Sequence, residues 1–270
     1  MAKKNAKKGS SAALTEVSNA AKSLLANIRF MRVDDPIKTI AITSSIPNEG
    51  KSYVAEQLCR AIATSGRTVL LMEGDLRRRT LGGRLGVRGR HGLYSVLSGE
   101  VKATDAIMPM RDVQNMYFLD AEPNIPNPSD LFNSKRFKRL LAALAQAYDY
   151  VVIDTPPLGA FIDSAVVSAQ MDATLLVVRE NFTRKEDIKA SYEQLQKAGG
   201  NVTGVVMNYC EQRSSGYYGY YYYSYYYEDE ESASGPAHGG AANKGGLFGR
   251  GSKGSKGSKA AKRTKSPRER

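Results

Sequence analysis

A glycine, a lysine and a serine stand together at the end of the segment SSIPNEGKS, residues 44–52. An apolar run precedes this segment and an amphipathic stretch follows it, so the local order is strand, loop, helix. In such a loop the backbone N–H groups and the helix start bind phosphate, Lys51 reaches the β- and γ-phosphates, and the Ser52 hydroxyl ligates Mg²⁺. The usual spacing has a glycine at Ser45, so the segment departs from the pattern at one position.

The flanking elements favour a nucleotide site over a chance Gly-Lys-Ser sequence, and ATP is the predicted ligand. The predicted binding residues of the segment are Ser45, Pro47, Asn48, Glu49, Gly50, Lys51, Ser52 and Tyr53.

Three carboxylates follow two other apolar runs. Glu73 and Asp75 end VLLMEGD, and Asp154 ends YVVID. Because α/β sheets bind ligands at the carboxyl ends of their strands, we expect these acids to lie beside Lys51 and Ser52. Each acid alone is typical of a solvated strand end, but carboxylates that converge on a phosphate site need a cation to neutralise them. The set therefore predicts Mg²⁺, held by Ser52, Asp75 and Asp154.

The elements that must position these residues alternate along the chain. Apolar runs predict strands at 37–43, 68–73, 116–121, 150–155, 173–178 and 202–208, and amphipathic stretches predict helices at 14–33, 51–65, 93–98, 134–147, 161–170 and 184–198. Continuous β-branched runs without alternation suit strands that are buried on both faces of a parallel sheet. The pattern predicts a doubly wound α/β fold with a mostly parallel sheet, of the P-loop NTPase class.

The composition predicts that only the middle of the chain forms a folded domain. Hydrophobic residues make up 41% of 270 residues, and the net charge of +12 comes from lysines in residues 1–8 and Lys/Arg residues in 244–270. The remainder is nearly neutral, which argues against a nucleic-acid-binding face. We predict a disordered basic N-terminus at 1–13, a nucleotide-binding domain at 14–211, a tyrosine cluster with an acidic run at 212–231, and a disordered Gly/Ser/Lys-rich basic tail at 232–270.

Compartment signals favour the cytoplasm. No run approaches the roughly 18 apolar residues of a membrane-spanning helix, and the basic start lacks the apolar stretch of a secretory signal. Cys59 and Cys210 fit neither a zinc pattern nor a disulfide framework, so two reduced thiols are expected.

The motifs together resemble those of the bacterial tyrosine kinases of capsule and exopolysaccharide synthesis. SSIPNEGKS looks like the Walker A of that family, LLMEGDLRR like its Walker A′ and VVIDTPP like its Walker B. GLYSVLSGEV and NIPNPSDLFNS are similar to two further family segments, and Asp163 and Arg179 also match. The resemblance covers about residues 16 to 211 and continues into the tail. It implies an ATP-dependent protein-tyrosine kinase of the deviant Walker (SIMIBI-like) class.

The resemblance also implies roles for single residues. Lys51 would steady the transferred phosphate, and Glu73 or Asp75 would accept or orient the tyrosine hydroxyl proton. Arg77 would help to hold the site. Asn208 stands where related ATPases contact adenine, although an asparagine at a strand end is often only a cap.

Residues 217–227, YYGYYYYSYYY, contain nine of the sixteen tyrosines of the chain. Alone they would be typical of an adhesive low-complexity tail, but family members end in a tyrosine cluster that is autophosphorylated. The implied acceptors are Tyr217, Tyr218, Tyr220, Tyr221, Tyr222, Tyr223, Tyr225, Tyr226 and Tyr227. Each phosphate adds about −1.5 to −2 charges beside the acidic run Glu228–Glu231, so phosphorylation would act as an electrostatic switch that separates oligomers.

Three departures from the family pattern concern the loop, an acid and a helix. Asn48 replaces a usual glycine, but asparagine tolerates left-handed backbone. Glu73 replaces a usual aspartate. The family's oligomerisation motif E-x-x-R-x-x-R falls on Asn19, Lys22 and Leu25, where two of three positions have lost their charge. The loss of these charges puts in doubt a ring that is held together by those ion pairs.

The resemblance implies partners that the chain does not contain. The expected activator is a separate transmembrane polysaccharide co-polymerase, which would bring the kinase to the inner face of the plasma membrane. Trans-phosphorylation implies a homo-oligomer. The basic tail could add attraction to anionic lipid, at about 1 kcal/mol per charge near the surface, or be a solvated linker end.

Two other function classes compete with a kinase. A partitioning or positioning ATPase of the deviant Walker class would explain the loop and Asn208 but not the tyrosines, and the signature lysine of that class falls at Ser44 or Ser45 here. An adhesive scaffold with an inert phosphate loop would make the tails the functional part.

Overall fold

The structure is a computed structural model, and it describes residues 2–32, 34–125 and 127–210, with the backbone alone for residues 2–13. The strands are β1 Thr39–Ser44, β2 Val69–Glu73, β3 Met108–Pro109, β4 Met116–Leu119, β5 Tyr150–Asp154, β6 Ala173–Arg179 and β7 Val202–Asn208. The helices are α1 Ala2–Met31, α2 Lys51–Thr64, α3 Leu81–Leu85, α4 Leu93–Ser98, α5 Ala103–Ala106, α6 Pro128–Asn133, α7 Lys135–Ala147, α8 Asp163–Ser168 and α9 Lys185–Lys197.

The strands form one sheet in the order β3-β4-β2-β5-β1-β6-β7. Every neighbouring pair is parallel except β3 and β4, which are antiparallel. The register sets Glu73 opposite Asp154 and Ile42 opposite the same aspartate. The doubly wound, mostly parallel sheet that the sequence predicts is confirmed, and the acids lie at one edge because their strands end at the same level.

Apolar side chains cover both faces of the sheet. Leu58 and Ile62 of α2 lie in one cluster with the sheet and with Leu25 of α1. On the other face, Phe132 and Phe137 pack edge to face with ring centroids 5.1 Å apart. Complete burial of such side chains contributes about 1.5–3 kcal/mol each, so the core fixes the strand ends from both sides.

All six predicted strands and all six predicted helices are present. Their end points differ from the predicted ones by a few residues, except that α1 begins at Ala2 and not at residue 14. The sequence missed β3, α3, α5 and α6, which are two to six residues long. Elements this short do not complete the periodic pattern on which the predictions depend. Pro109 in β3 is also a residue that argues against a strand, and edge strands are where a proline is tolerated.

Helix α1 begins at Ala2, whereas disorder was predicted for residues 1–13. The segment is rich in alanine and lysine, which favour helix, and this propensity offsets its lack of apolar residues. The predicted segments 212–231 and 232–270, with the tyrosine cluster, lie outside the described residues. Within the described ranges, no helix is long and apolar enough to cross a membrane.

The two cysteines are far from equivalent. Cys59 is completely buried in α2, and Cys210 is exposed just after β7. Burial raises the pKa of the Cys59 thiol well above its ordinary value, and Glu56 adds to the effect. Neither thiol forms a disulfide.

Candidate active site

The loop between β1 and α2 depends on two residues with left-handed backbone. Asn48 has φ 68° and Gly50 has φ 91°. Asparagine adopts this conformation more readily than other non-glycine residues, as the sequence analysis expected for Asn48. Gly50 is more constrained, because a Cβ atom there would lie 2.1 Å from Nδ2 of Asn208. The loop therefore keeps its turn without the usual first glycine, whereas a side chain at Gly50 would strain the backbone and displace the Asn208 amide from the Glu49 carbonyl.

Glu49 is completely buried and faces the protein instead of the cavity. Its carboxylate accepts hydrogen bonds from the N–H of Ile46 at 2.7 Å and from the hydroxyl of Thr183 at 2.5 Å. Asn208 Nδ2 donates to the Glu49 carbonyl oxygen at 2.9 Å. Both residues were predicted to bind nucleotide. Their contacts here support the loop, and contact with nucleotide stays a prediction.

The ammonium group of Lys51 lies among the residues predicted to bind metal. Its Nζ atom is 3.3 Å from Asp75 Oδ2, 3.4 Å from Asp154 Oδ1 and 3.3 Å from Ser52 Oγ. Burial opposes the charge of Lys51, but the carboxylates of Asp154, Asp75 and Glu73 outweigh burial and raise its pKa. The structure thus brings residues from β2, β5 and the start of α2 to one point.

Glycine also permits the close approach of β2 and β5. Gly74 N donates to the Asp154 carbonyl oxygen at 2.7 Å. A Cβ atom on Gly74 would lie 2.7 Å from that oxygen, closer than real Cβ atoms come to backbone. The Glu73-Gly74-Asp75 sequence can therefore deliver two acids beside Asp154.

Glu73 and Asp154 are the most buried acids of the group. Burial, with Asp154 adding repulsion, raises the pKa of Glu73 to about 8, although its carboxylate accepts hydrogen bonds from the N–H groups of Thr80 and Leu81, each at 2.8 Å. Burial also raises the pKa of Asp154, while Lys51 opposes that shift. One ammonium group therefore faces three acids, and the raised pKa values of Glu73 and Asp154 favour the protonated forms of these two acids.

The donor set fits Mg²⁺ held together with nucleotide. Within the described residues, no three His, Cys, Asp or Glu side chains are arranged to hold a metal unaided. Asp75, Asp154 and the Ser52 hydroxyl nevertheless surround a single cationic atom, Lys51 Nζ. Mg²⁺ is commonly bound by one or two carboxylates, with phosphate and water completing the shell.

A cavity of about 470 Å³ opens beside these residues. Six of the predicted loop residues and Asp75 line it. The sequence analysis missed Arg78, Thr80, Arg84 and Tyr209, which also line the cavity. The run of arginines after Asp75 could have signalled the first of these, whereas Thr80 and Tyr209 carry no local pattern that distinguishes them.

Arg77 pairs with another acid and does not line the cavity. Its Nε atom is 2.7 Å from Asp163 Oδ2, and its guanidinium group lies 4.3 Å from the ring centroid of Phe161. Ser129 donates to the same aspartate. These contacts join the segment after β2 to α6 and α8, so Arg77 supports the site from outside the cavity.

Arg179 lies between two aromatic rings at the cavity. The guanidinium carbon is 4.6 Å from the ring centroid of Phe182 and 4.4 Å from that of Tyr209. Such stacking fixes the planar group and leaves its edge available for hydrogen bonds. Arg179 and Tyr209 therefore form a rigid wall of the cavity.

The three positions of the oligomerisation motif have different environments in α1. Lys22 is exposed, and Asn19 is half-buried. Leu25 is only 4% exposed and belongs to the core shared with α2. An arginine at this position would have to leave the core, so the change to leucine alters what the helix face can contact.

Comparisons with a protein-family model and with individual proteins agree with each other. The model of a family described as "AAA domain" matches residues 37–198. Tyrosine-protein kinase YwqD of Bacillus subtilis (strain 168) is 33% identical over 201 residues, which are 73% of this chain and 84% of that protein.

Solved structures extend the comparison. The kinase domain of Escherichia coli tyrosine kinase ETK is 30% identical, with a TM-score of 0.69 over 73% of this chain and 77% of that one. The septum site-determining protein MinD of Pyrococcus horikoshii OT3, complexed with Mg-ADP, is 26% identical, with a TM-score of 0.55 over 63% of this chain and 69% of that one. The two solved structures share a nucleotide-binding P-loop fold with this chain.

Proposed function

The chain belongs to the bacterial tyrosine-protein kinases, and we propose that it transfers the γ-phosphoryl group of ATP to tyrosines of its own C-terminal cluster. The observation that carries the proposal is the position of Lys51 Nζ, 3.3–3.4 Å from Ser52, Asp75 and Asp154 at the strand ends. Phosphoryl transfer depends mainly on positioning and charge neutralisation, and this arrangement supplies both.

In the transfer, the tyrosine oxygen forms a bond to the γ-phosphorus, the bond from that phosphorus to the β–γ bridging oxygen breaks, and ADP leaves. Lys51 and the loop N–H groups hold the phosphates. Bound Mg²⁺, held by Ser52, Asp75 and Asp154, would neutralise charge on the phosphate oxygens.

Asp75 is the acid that we propose to accept the hydroxyl proton. It lines the cavity, whereas Glu73 does not and has a pKa raised to about 8. A raised pKa favours the protonated form of Glu73, which makes it the poorer candidate for the base. Glu73 instead orients the following segment, through the N–H groups of Thr80 and Leu81.

The biological setting follows from the family. We propose a role in capsule or exopolysaccharide synthesis, in the cytoplasm at the inner face of the membrane, with a separate transmembrane polysaccharide co-polymerase as activator. Trans-phosphorylation between copies would charge the tails and separate them. The domain limits predicted from the sequence, with the kinase domain at 14–211 and the acceptors in 212–231, are part of this proposal.

Phosphosite mapping by mass spectrometry tests the activity. The full chain is incubated with ATP and Mg²⁺, alone and with a cytoplasmic activator segment. We expect phosphate on tyrosines of residues 217–227, and none in the Lys51→Met variant. Lys189→Met removes an exposed lysine from α9 and is the control, which should resemble the wild type. Equal labelling of the wild type and Lys51→Met would contradict the proposal.

A positioning ATPase is the second candidate, because the MinD structure shares the fold. Its chemistry would use water as the acceptor in place of tyrosine. Steady ATP hydrolysis stimulated by DNA or lipid, with no phosphate on the chain, would favour this alternative.

A further inference from the structure

The segment that follows Asp75 is rich in arginine, and the proposed transfer does not use most of it. Residues 77–90 contain six arginines and no acidic residue. Three of the arginines form ion pairs, Arg77 with Asp163, Arg79 with Asp120 and Arg84 with Glu56, at 2.6–3.1 Å. The other three, Arg78, Arg88 and Arg90, are exposed, and no described carboxylate forms an ion pair with them. We call these three residues the arginine surface.

The arginine surface begins at the cavity. Arg78 lines the cavity together with Ser52 and Asp75. Arg84 lines it too, and the chain then turns, since Val87 N donates to the Gly82 carbonyl oxygen at 3.0 Å. Arg88 is four residues after Arg84, so their Cα atoms lie within about 14 Å of each other. The surface therefore starts in the cavity lining at Arg78 and continues to Arg88 and Arg90, which do not line the cavity.

Nucleotide phosphates do not account for this charge. Lys51 and the loop already supply the groups that bind phosphate, and Arg88 and Arg90 do not line the cavity. Three guanidinium groups that pair with no described carboxylate, on an otherwise nearly neutral domain, create a local positive potential, which attracts an acidic ligand. Guanidinium groups also bind carboxylates through paired hydrogen bonds, which adds geometric selectivity.

We propose that the arginine surface recognises an acidic peptide that carries the acceptor tyrosine. The inference rests on the proposed kinase function and adds the class of substrate. The sequence of the chain contains a matching ligand, because Tyr225–Tyr227 are followed directly by four acids, Glu228–Glu231. Carboxylates of such a peptide would pair with Arg88 and Arg90, while a preceding tyrosine reaches Asp75 past Arg78.

Peptide binding to the full chain tests the inference without turnover. The probe is a fluorescent peptide with the sequence of residues 222–231, YYSYYYEDEE, compared with the same peptide in which every acid is replaced by its amide. We expect the acidic peptide to bind about tenfold more tightly by fluorescence anisotropy, the combined effect of a few exposed ion pairs. Added salt should reduce this preference.

The Arg88→Gln/Arg90→Gln double variant should lose most of the preference and bind ATP like the wild type. Lys135→Gln/Arg139→Gln removes two exposed charges from α7 and is the matched control, which should keep the preference. Equal binding of the two peptides by the wild type, or an equal loss in both double variants, would overturn the inference. A weaker affinity for ATP in Arg88→Gln/Arg90→Gln would also overturn it, by assigning the arginines to the nucleotide.

Phosphorylation of the same peptides separates this inference from the function on which it rests. A raised KM for the acidic peptide, with kcat unchanged in Arg88→Gln/Arg90→Gln, supports recognition by the arginine surface. Transfer to both peptides with equal KM overturns the inference and leaves the kinase function intact. Absence of Lys51-dependent phosphate on either peptide and on the chain would remove the kinase function, and the inference with it.

Discussion

Four ionisable side chains share the strand-end edge of the sheet, and their charges do not balance. Lys51 contacts Asp75 and Asp154, while Glu73 lies nearby without an ion pair to the lysine. Burying a third carboxylate beside two others is costly, so the environment favours the protonated form of Glu73. Glu73 therefore tends towards a neutral hydrogen-bonding group, and the N–H groups that donate to it come from Thr80 and Leu81 at the start of α3.

This proton makes stability depend on pH. The pKa of Glu73 is about 8 in the fold and near 4.5 when unfolded, so the native state binds more protons between these values. The free energy of unfolding should therefore fall as pH rises from about 5 to 8, because the unfolded chain ionises first. The raised pKa of Asp154 acts in the same direction.

Urea unfolding followed from pH 5 to pH 9 measures this slope. Glu73→Gln should flatten the slope, since the amide cannot ionise. Glu193→Gln, at an exposed position of α9, is the control and should leave the slope unchanged. A wild-type slope that survives in Glu73→Gln would assign the dependence to another group.

At the scale of elements, the turn from β1 into α2 determines the geometry of the phosphate loop. Its sequence departs from the usual pattern, yet Asn48 and Gly50 both have the left-handed backbone that the turn needs. The carbonyl of Glu49 and the side chain of Asn208 then join this loop to the end of β7. The loop is therefore held by the end of β7, the outermost strand next to β6, as well as by its own strand.

Gly50→Ala should weaken nucleotide binding, because the new methyl group would meet Asn208 Nδ2 at 2.1 Å and displace that amide from the Glu49 carbonyl. Gly66→Ala is a matched control, since Gly66 also has a positive φ, 82°, but a Cβ atom there meets nothing within 4 Å. We expect Gly66→Ala to cost about 1–2 kcal/mol of backbone strain alone and to retain ATP affinity by calorimetry. Asn208→Ala combined with Gly50→Ala should recover part of the loss, whereas full retention of affinity by Gly50→Ala would refute the clash.

The sequence predicts some elements and contacts of the fold better than others. The sequence predicted every long strand and helix, because buried parallel strands and amphipathic helices leave strong patterns. It also predicted that Lys51, Asp75 and Asp154 meet, since strand topology requires it. It did not predict that Glu49 and Asn208 face each other, because that contact joins positions 159 residues apart that no motif links. Thr80 and Tyr209 were missed for the same reason.

For the whole molecule, helix α1 is the element with the greatest consequence for assembly. It packs on α2, and Leu25 inserts into the core between them. The residue that replaces a motif arginine is therefore used to attach the helix to its own domain. A ring held through this position would need residue 25 on the surface, whereas Leu25 is buried in the core.

Restoring the motif arginine by Leu25→Arg should destabilise the domain instead of assembling it. A guanidinium group at a position only 4% exposed loses hydration without a designed partner, and the expected cost is about 3 kcal/mol or more. Lys22→Arg, on the exposed part of the same helix, should change stability by less than about 0.5 kcal/mol. Thermal unfolding and analytical ultracentrifugation measure both effects, and a stable larger assembly of Leu25→Arg would contradict this expectation.

The two cysteines differ in exposure, so the rate of thiol labelling can measure how often the domain opens locally. A thiol reagent should modify Cys210 at once, but can reach Cys59 only during excursions that lift α2 from the sheet. Since α2 begins at Lys51, a bound nucleotide must reduce the frequency of those excursions, by a factor that grows as ligand concentration divided by Kd. The rate at which the reagent labels Cys59 would thus report nucleotide occupancy in the native sequence, with no engineered reporter group and no turnover.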